Sequence, residues 1–500
     1  MGRIRFDFNN MFSFAVGKAN GVAESDIAAM SAVIKKAHNH LRSLLSNSRN
    51  RVNLDLEWAT LPFQKGSAIN KIRSLGDEIA AKYENVISLG IGGSYLGLKA
   101  AQDALASPYY NEFASARKGK PKIYFEGNNL DPDTLQVLLK NLNPRKTAVV
   151  VISKSGETTE TKAAFAVVER WLSAGGGSAF GGKKGAGRHY GHQIIAITDP
   201  KSGTLRKRVN AEQAKDPLSF RNLPLLKGVG GRYSELNMGL LHLAILGIDL
   251  NKILDGAAEM AKRCASPSVF KNPAYMYAVL HTILYRKKAK PIAILMPFSE
   301  SLKATADWYV QLLAESTGKK YLRKIKTGKN GREIWENDIR HAANVGRTPV
   351  PLRGTTDLHS VHQNNAEGEN DKVITFIKVE KFKNDITVHG TNDFLTGTKY
   401  SRLLAVAEEA TEWALVKESR PNCAVVMPEI TPHTWGELIF FFQMATAFEG
   451  ELLNVNAFNQ PGVEGYKNYM YYKLNKPGLP KEISEEIKKH LLVKKTKYVM

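Results

Sequence analysis

Apolar residues along this chain recur in two alternating arrangements. Short, unbroken apolar or β-branched runs lie at 85–89, 121–126, 149–152, 193–198, 291–297 and 372–378. Runs of that length, bounded by turn residues, predict strands buried on both faces. Between them the apolar residues take helical spacing, as at Ile27, Met30, Val33, Ile34 and Ala37 within 21–64. The same spacing predicts helices over 162–172, 236–246, 302–319 and 436–450. Strands alternating with helices predict an α/β fold with a mainly parallel sheet flanked by helices. Strands and helices resume after about residue 285, so a second α/β unit follows the first. Residues 364–371 are polar and read as a loop, and the charged tail after about 475 reads as helical. Eight of the seventeen residues at 175–191 are glycine, which predicts a flexible surface insertion.

Two strand ends carry chemistry. After 149–152 come Ser153, Lys154, Ser155, Gly156, Glu157, Thr158, Thr159, Glu160 and Thr161, and then a helix. A helix N-terminus offers unpaired N–H groups and partial positive charge. One hydroxyl would cap such a helix. Five hydroxyls in nine residues point to a bound phosphate. After 85–89 come Gly90, Ile91, Gly92, Gly93 and Ser94, a turn that lets backbone approach an oxyanion or simply joins strand to helix. In parallel sheets ligands lie at the carboxyl ends of the strands, where both turns fall. A third glycine turn, GVGGRYS at 228–234, holds Arg232. Guanidinium keeps its charge at any working pH and suits an anionic ligand. Gln311 and Glu315 stand four apart, on one face of the 302–319 helix.

Composition narrows the class. With 500 residues, two domains are expected, and 43% hydrophobic against 24% charged residues gives ample core. Two cysteines, Cys264 and Cys423, exclude a disulfide framework or a Cys-rich metal site, and both read as buried and inert. No run of about 18 apolar residues predicts a membrane span, and the first residues lack a signal peptide's apolar core, so a cytoplasmic protein is expected. The net charge of +22 is concentrated at 201–208, 319–332 and 488–497. These runs carry no nucleic-acid module and read as solvated faces, with a field that draws in small anions.

Taken together, the motifs resemble the glucose-6-phosphate isomerase (phosphoglucose isomerase) family over nearly the whole chain. GELLNVNAFNQPGVEGYK at 450–467 is similar to one family signature, and GVGGRYS to the heart of another. Lys227 and Glu235, beside the latter, depart from its usual residues. The resemblance implies two sugar-isomerase-type domains with helical extensions at both ends. The parts are a helical extension at 1–64, a small sugar-phosphate-binding domain at 65–235, a large domain at 236–474 and a helical tail at 475–500. It implies that Ser153, Ser155 and Thr158, with Lys154 beside them, hold the phosphate. By resemblance Ser94 belongs to the glycine turn, Arg232 faces the intermediate, and Gln311 and Glu315 form the pair carrying the catalytic base. His359 matches the ring-opening histidine, with His362 three residues on as its rival in sequence. Gln460 and Lys467 match the C-terminal pair. The family implies a homodimer with shared active sites, neither metal nor organic cofactor, and no nucleic-acid or membrane partner.

The implied reaction needs what these residues offer. Moving a proton between C2 and C1 of a sugar phosphate requires an anchor, a base, a fixed cation for the enediolate and an acid/base pair for ring opening. In a closed, partly apolar site a carboxylate holds a proton more readily, which suits Glu315 as the base. Arg232 stabilises negative charge without competing for the proton. A non-catalytic sugar-phosphate-binding module would share the 153–161 loop but would need neither Glu315 nor Lys467. The phosphate loop does not separate the implied reaction from that of another isomerase, acting on mannose 6-phosphate as well or on an amino sugar.

Overall fold

The computed structural model describes residues 2–175, 189–328 and 331–500, so most of the 175–191 stretch lies outside the described residues. The chain gathers into two compact units, residues 1–457 and 458–500.

Two five-stranded sheets organise the first unit. One comprises β2 (Asn85–Leu89), β3 (Lys122–Glu126), β4 (Thr147–Ile152), β5 (Ile194–Thr198) and β6 (Arg221–Pro224). Its order is β3–β2–β4–β5–β6, all parallel. Every residue of β2, β4 and β5 is buried, as continuous apolar runs covered on both faces require. The register pairs Leu89 with Val151 and Ile152 with Ile197, so the 90–95 turn and the 153–158 loop leave the same edge.

The other sheet comprises β1 (Arg5–Asp7), β7 (Ile292–Pro297), β10 (Thr348–Pro351), β11 (Lys372–Lys381) and β12 (Asn422–Glu429). Its order is β1–β12–β11–β7–β10. All pairs are parallel except β1 with β12. Helix Pro432–Leu452 is buried on all sides from Thr434 to Glu451, which makes it a core element rather than a surface one. Trp58, Trp171, Trp308 and Trp435 are fully buried, and both cysteines are buried.

Several predicted elements change. The 21–64 stretch divides into helices Glu24–Ala29, Ser31–Ser46 and Ser48–Asn53 and a 3-10 turn Glu57–Phe63. Ile27, Ile34 and Ala37 are buried there, whereas Val33 is exposed. Helix Ser31–Ser46 docks on the central helix through His40, whose Nδ1 lies 2.6 Å from Glu451. The basic 319–332 run is mostly a strand. β8 (Lys319–Thr327) pairs antiparallel with β9 (Glu333–Val345) in a separate ribbon. Arg323 pins this ribbon to Glu451 with hydrogen bonds of 2.7 and 2.9 Å, a forked pair between buried side chains. The expected loop at 364–371 begins as a helix, His362–Glu367, in which Asn365 alone is buried. One buried position leaves no apolar periodicity to read.

In the second unit, helices Glu464–Lys473 and Lys481–Lys489 carry the tail, and residues 490–495 are irregular.

Candidate active site

Three glycine-bearing turns build the site. At the end of β2, Gly92 takes φ +57°, a value that favours glycine. A Cβ on Gly93 would stand 2.1 Å from the Gly231 carbonyl carbon, so the 90–94 and 228–234 turns meet backbone to backbone. Only glycine permits that approach. A Cβ on Gly92 would lie 2.9 Å from Gln311 Nε2, which puts the same turn against helix Lys303–Thr317. Ser94 directs its hydroxyl toward Met238 Sδ at 3.7 Å.

Arg232 is the hub. Its side chain is 2% exposed, and its Nε donates to Ser316 Oγ at 2.9 Å. One Nη donates to Glu315 Oε2 at 3.0 Å and the other to the Ala457 carbonyl at 2.7 Å. Gln311 Nε2 donates to Glu315 Oε1 at 3.0 Å, so each carboxylate oxygen is held from a different side. Glu315 is nonetheless 28% exposed, so part of the acid stays open. It therefore sits beside a fixed cation rather than in the closed, partly apolar setting the sequence suggested. The amide oxygen of Gln311 is buried without a hydrogen-bond partner among the described residues.

Lys319 was missed from sequence because it reads there as part of a basic run. Its ammonium donates to the Glu315 carbonyl. Burial first, and then the Arg232 charge, push its pKa down to about 7, against the opposing pull of Glu315.

The 153–158 loop lies at the end of β4. Ser153 is buried, and its Oγ accepts the Gly156 N–H at 3.0 Å and lies 3.5 Å from Thr158 Oγ1. Ser155 Oγ accepts the Glu157 N–H at 3.1 Å. Thr198 on β5 ties the loop down by donating to the Ser153 carbonyl at 2.8 Å. Thr158 is the N-cap of helix Thr159–Ser173, yet its side chain makes no capping bond. The first-turn N–H groups therefore keep their donors for an anion. Lys154 is exposed and lines an open cavity of about 640 Å³ with Arg49, Lys227 and Arg332. Asp55 lines it too; burial raises its pKa, and Lys154 and Arg232 oppose that rise.

The structure brings Arg232, Gln311, Glu315 and the Gly92 turn into contact. His359 lies outside that cluster, exposed on the 3-10 turn Thr356–His359. Its rival His362 is half-buried, and burial lowers its pKa. In the second unit Lys467 is paired with Glu464 at 3.0 Å. Burial works against its charge, but that pair carries its pKa above the usual lysine value. Gln460 is the N-cap of a 3-10 turn, Pro461–Val463.

Among the described residues, one group comes near metal-ligand geometry: His189, His192 and Asp216, around β5. His192 Nε2 and Asp216 Oδ2 are 2.5 Å apart, a hydrogen-bond distance. Two ligands of one tetrahedral ion stand roughly 3.3 Å apart when each bond is about 2.0–2.2 Å. No helix among the described residues is long and apolar enough to cross a membrane.

The model of the family described as "Phosphoglucose isomerase" matches residues 67–478. A glucose-6-phosphate isomerase of Carboxydothermus hydrogenoformans is 36% identical over 97% of this chain and 97% of its own. One from Levilactobacillus brevis is 32% identical over 98% of this chain and 100% of its own. The crystal structure of a hypothetical protein from Thermus thermophilus superposes with a TM-score of 0.76 at 28% identity, over 94% of this chain and 99% of that one. A glucose-6-phosphate isomerase from Chlamydia trachomatis shares the fold, with a TM-score of 0.68 at 21% identity over 87% of this chain and 80% of that one.

Proposed function

The chain belongs to the phosphoglucose isomerase family, and we propose that it interconverts glucose 6-phosphate and fructose 6-phosphate. The observation that carries the reading is the Arg232–Glu315 pair, with both carboxylate oxygens held and part of the acid open.

In this reading Ser153, Ser155 and Thr158 take the phosphate at the helix N-terminus, with Lys154 adding charge. Anchoring by a remote group supplies binding energy that orients the sugar. Glu315 takes the proton from C2 of the open sugar and returns it to C1. The enediolate formed between these steps carries negative charge, which Arg232 stabilises as a preorganised cation. Gln311 fixes the carboxylate. Ser94 contributes to the wall of the glycine turn. Roles for His359 and Lys467 in ring opening, and for Gln460 in substrate binding, rest on the sequence resemblance. So do a homodimer that shares its active sites, a cytoplasmic location, and a small domain spanning 65–235. The positive net charge of +22 supports attraction of an anionic substrate rather than a nucleic-acid role.

The test is a coupled assay on the purified chain, converting fructose 6-phosphate to glucose 6-phosphate with and without EDTA. The reading expects turnover in both directions, undiminished by chelation. No turnover, or a reversible loss in EDTA, would overturn it.

A further inference from the structure

The turn that carries Arg232 runs into a buried acid that the proposed chemistry does not use. Glu235 is 1% exposed. Its Oε1 accepts Trp308 Nε1 at 2.7 Å, and its Oε2 accepts Gln443 Nε2 at 2.7 Å. The neighbouring helix Leu96–Leu105 leaves room for it with a glycine, since a Cβ on Gly97 would stand 2.5 Å from Glu235 Cγ. Burying a carboxyl costs more than burying an apolar side chain of similar size, unless its hydrogen bonds matter.

The placement of those bonds gives them a use. Trp308 lies near the start of helix Lys303–Thr317, and Ser316, which accepts from Arg232, lies near its end. The two contacts are a little over two turns apart, about 12 Å along a helix axis. Near its end the helix is also met by Tyr233, whose hydroxyl lies 3.2 Å from Ser316 Oγ, and at its middle by the Gly92 turn against Gln311. The Trp308 bond adds a directed contact toward its start, bracing the tilt that sets the distance from Arg232 to Glu315.

We infer that Glu235 is a positioning residue, clamping the Arg232 turn to the helix that carries Glu315 and so holding base and cation at reacting distance. The inference rests on the isomerase reading of the site. Burial pushes the Glu235 pKa up to about 8, so the group carries a proton at neutral pH. A glutamine is then a close mimic. Gln443 can present either its N–H or its oxygen, and so can serve both forms.

The experiment compares Glu235→Gln, Glu235→Ala and Trp308→Phe, each assayed with fructose 6-phosphate below its unfolding temperature. Near-UV circular dichroism checks the fold. A misplacement of about 1 Å costs as much as 10²-fold in rate. Glu235→Ala and Trp308→Phe should therefore lose about 10- to 100-fold in kcat with KM little changed, because the phosphate loop lies on other elements. Glu235→Gln should restore kcat to within about threefold of wild type, since it keeps both hydrogen-bonding positions. Folded Glu235→Ala and Trp308→Phe variants with wild-type kcat would overturn the clamp. So would a Glu235→Gln as impaired as Glu235→Ala. If Glu235→Ala does not fold, Trp308→Phe and Glu235→Gln decide on the same terms. A wild type that does not isomerise would overturn both readings, by a different observation.

Discussion

Replacing Arg232 by lysine keeps a cation and removes the fork. The guanidinium donates in three directions, to Ser316 Oγ, Glu315 Oε2 and the Ala457 carbonyl. A compact ammonium cannot span the three acceptors as the planar fork does, and retains one of them. If it follows Glu315, the Ala457 carbonyl loses its guanidinium donor in a buried setting, and Ser316 loses one of its partners. A buried polar group left unmade costs roughly 1–3 kcal/mol, so the variant should lose about 2–4 kcal/mol of stability. The kinetic loss has a separate origin. Removing one well-placed donor to a developing oxyanion costs about 10²–10³ in kcat. In the proposed mechanism lysine would offer a point charge in place of a planar, delocalised cation. Urea denaturation followed by tryptophan fluorescence measures the first effect, and initial rates with fructose 6-phosphate the second. An Arg232→Lys enzyme with an unchanged urea midpoint and kcat within about threefold of wild type would refute the reasoning. It would mean that charge alone, without the three directed bonds, does the work.

Other perturbations test other parts. Ser153→Ala with Thr158→Ala should raise KM at least about tenfold with kcat largely kept, since hydrogen bonds to a charged group are worth roughly 1.5–3 kcal/mol each; steady-state kinetics reads it, and free fructose should be a very poor substrate. Lys319→Met removes a cation beside Glu315, so the acid limb of the kcat/KM profile should move to higher pH; an unmoved limb would count against coupling between the two. Glu235 has a folded pKa raised to about 8 by burial, so the folded state holds its proton more tightly than the unfolded chain. Its stabilising contribution is fully present below the ordinary carboxyl range and is lost as pH rises through about 8, at up to about 1.4 kcal/mol per unit. Urea midpoints at acid, neutral and alkaline pH should therefore fall further in wild type than in Glu235→Gln.

The buried strands were legible because their chemistry is local. β2 coincides with the apolar run at 85–89, and β4 and β5 begin within two residues of theirs. Both anion-type turns follow from strand ends, so their shared edge could be inferred from a parallel sheet alone. The β8–β9 ribbon escaped because lysines and arginines interrupt its apolar residues, and their long stems pack while their heads stay wet. β1 escaped because three residues pair with a strand more than 400 positions away. The site was legible in residue types but not in distances. Arg232 and Glu315 meet across 83 positions of sequence, and no spacing rule reaches that far. Glu235 stood out only as a departure from a family signature, and Lys319 read as part of a basic run, until their burial was known.

The central claim is that Glu315 moves the proton between C2 and C1, and Glu315→Gln in deuterated solvent tests it most directly. Glutamine keeps the shape and can accept from Arg232, but it is no base. General-base catalysis contributes about 10²–10⁴-fold, so kcat should fall at least that far with KM little changed. Wild type should introduce solvent deuterium into part of the product, because a carboxylic acid open to water can exchange its proton before returning it. The variant should show neither isomerisation nor exchange at C2. Loss of isomerisation with exchange intact would contradict the account, because another residue would then be removing the proton.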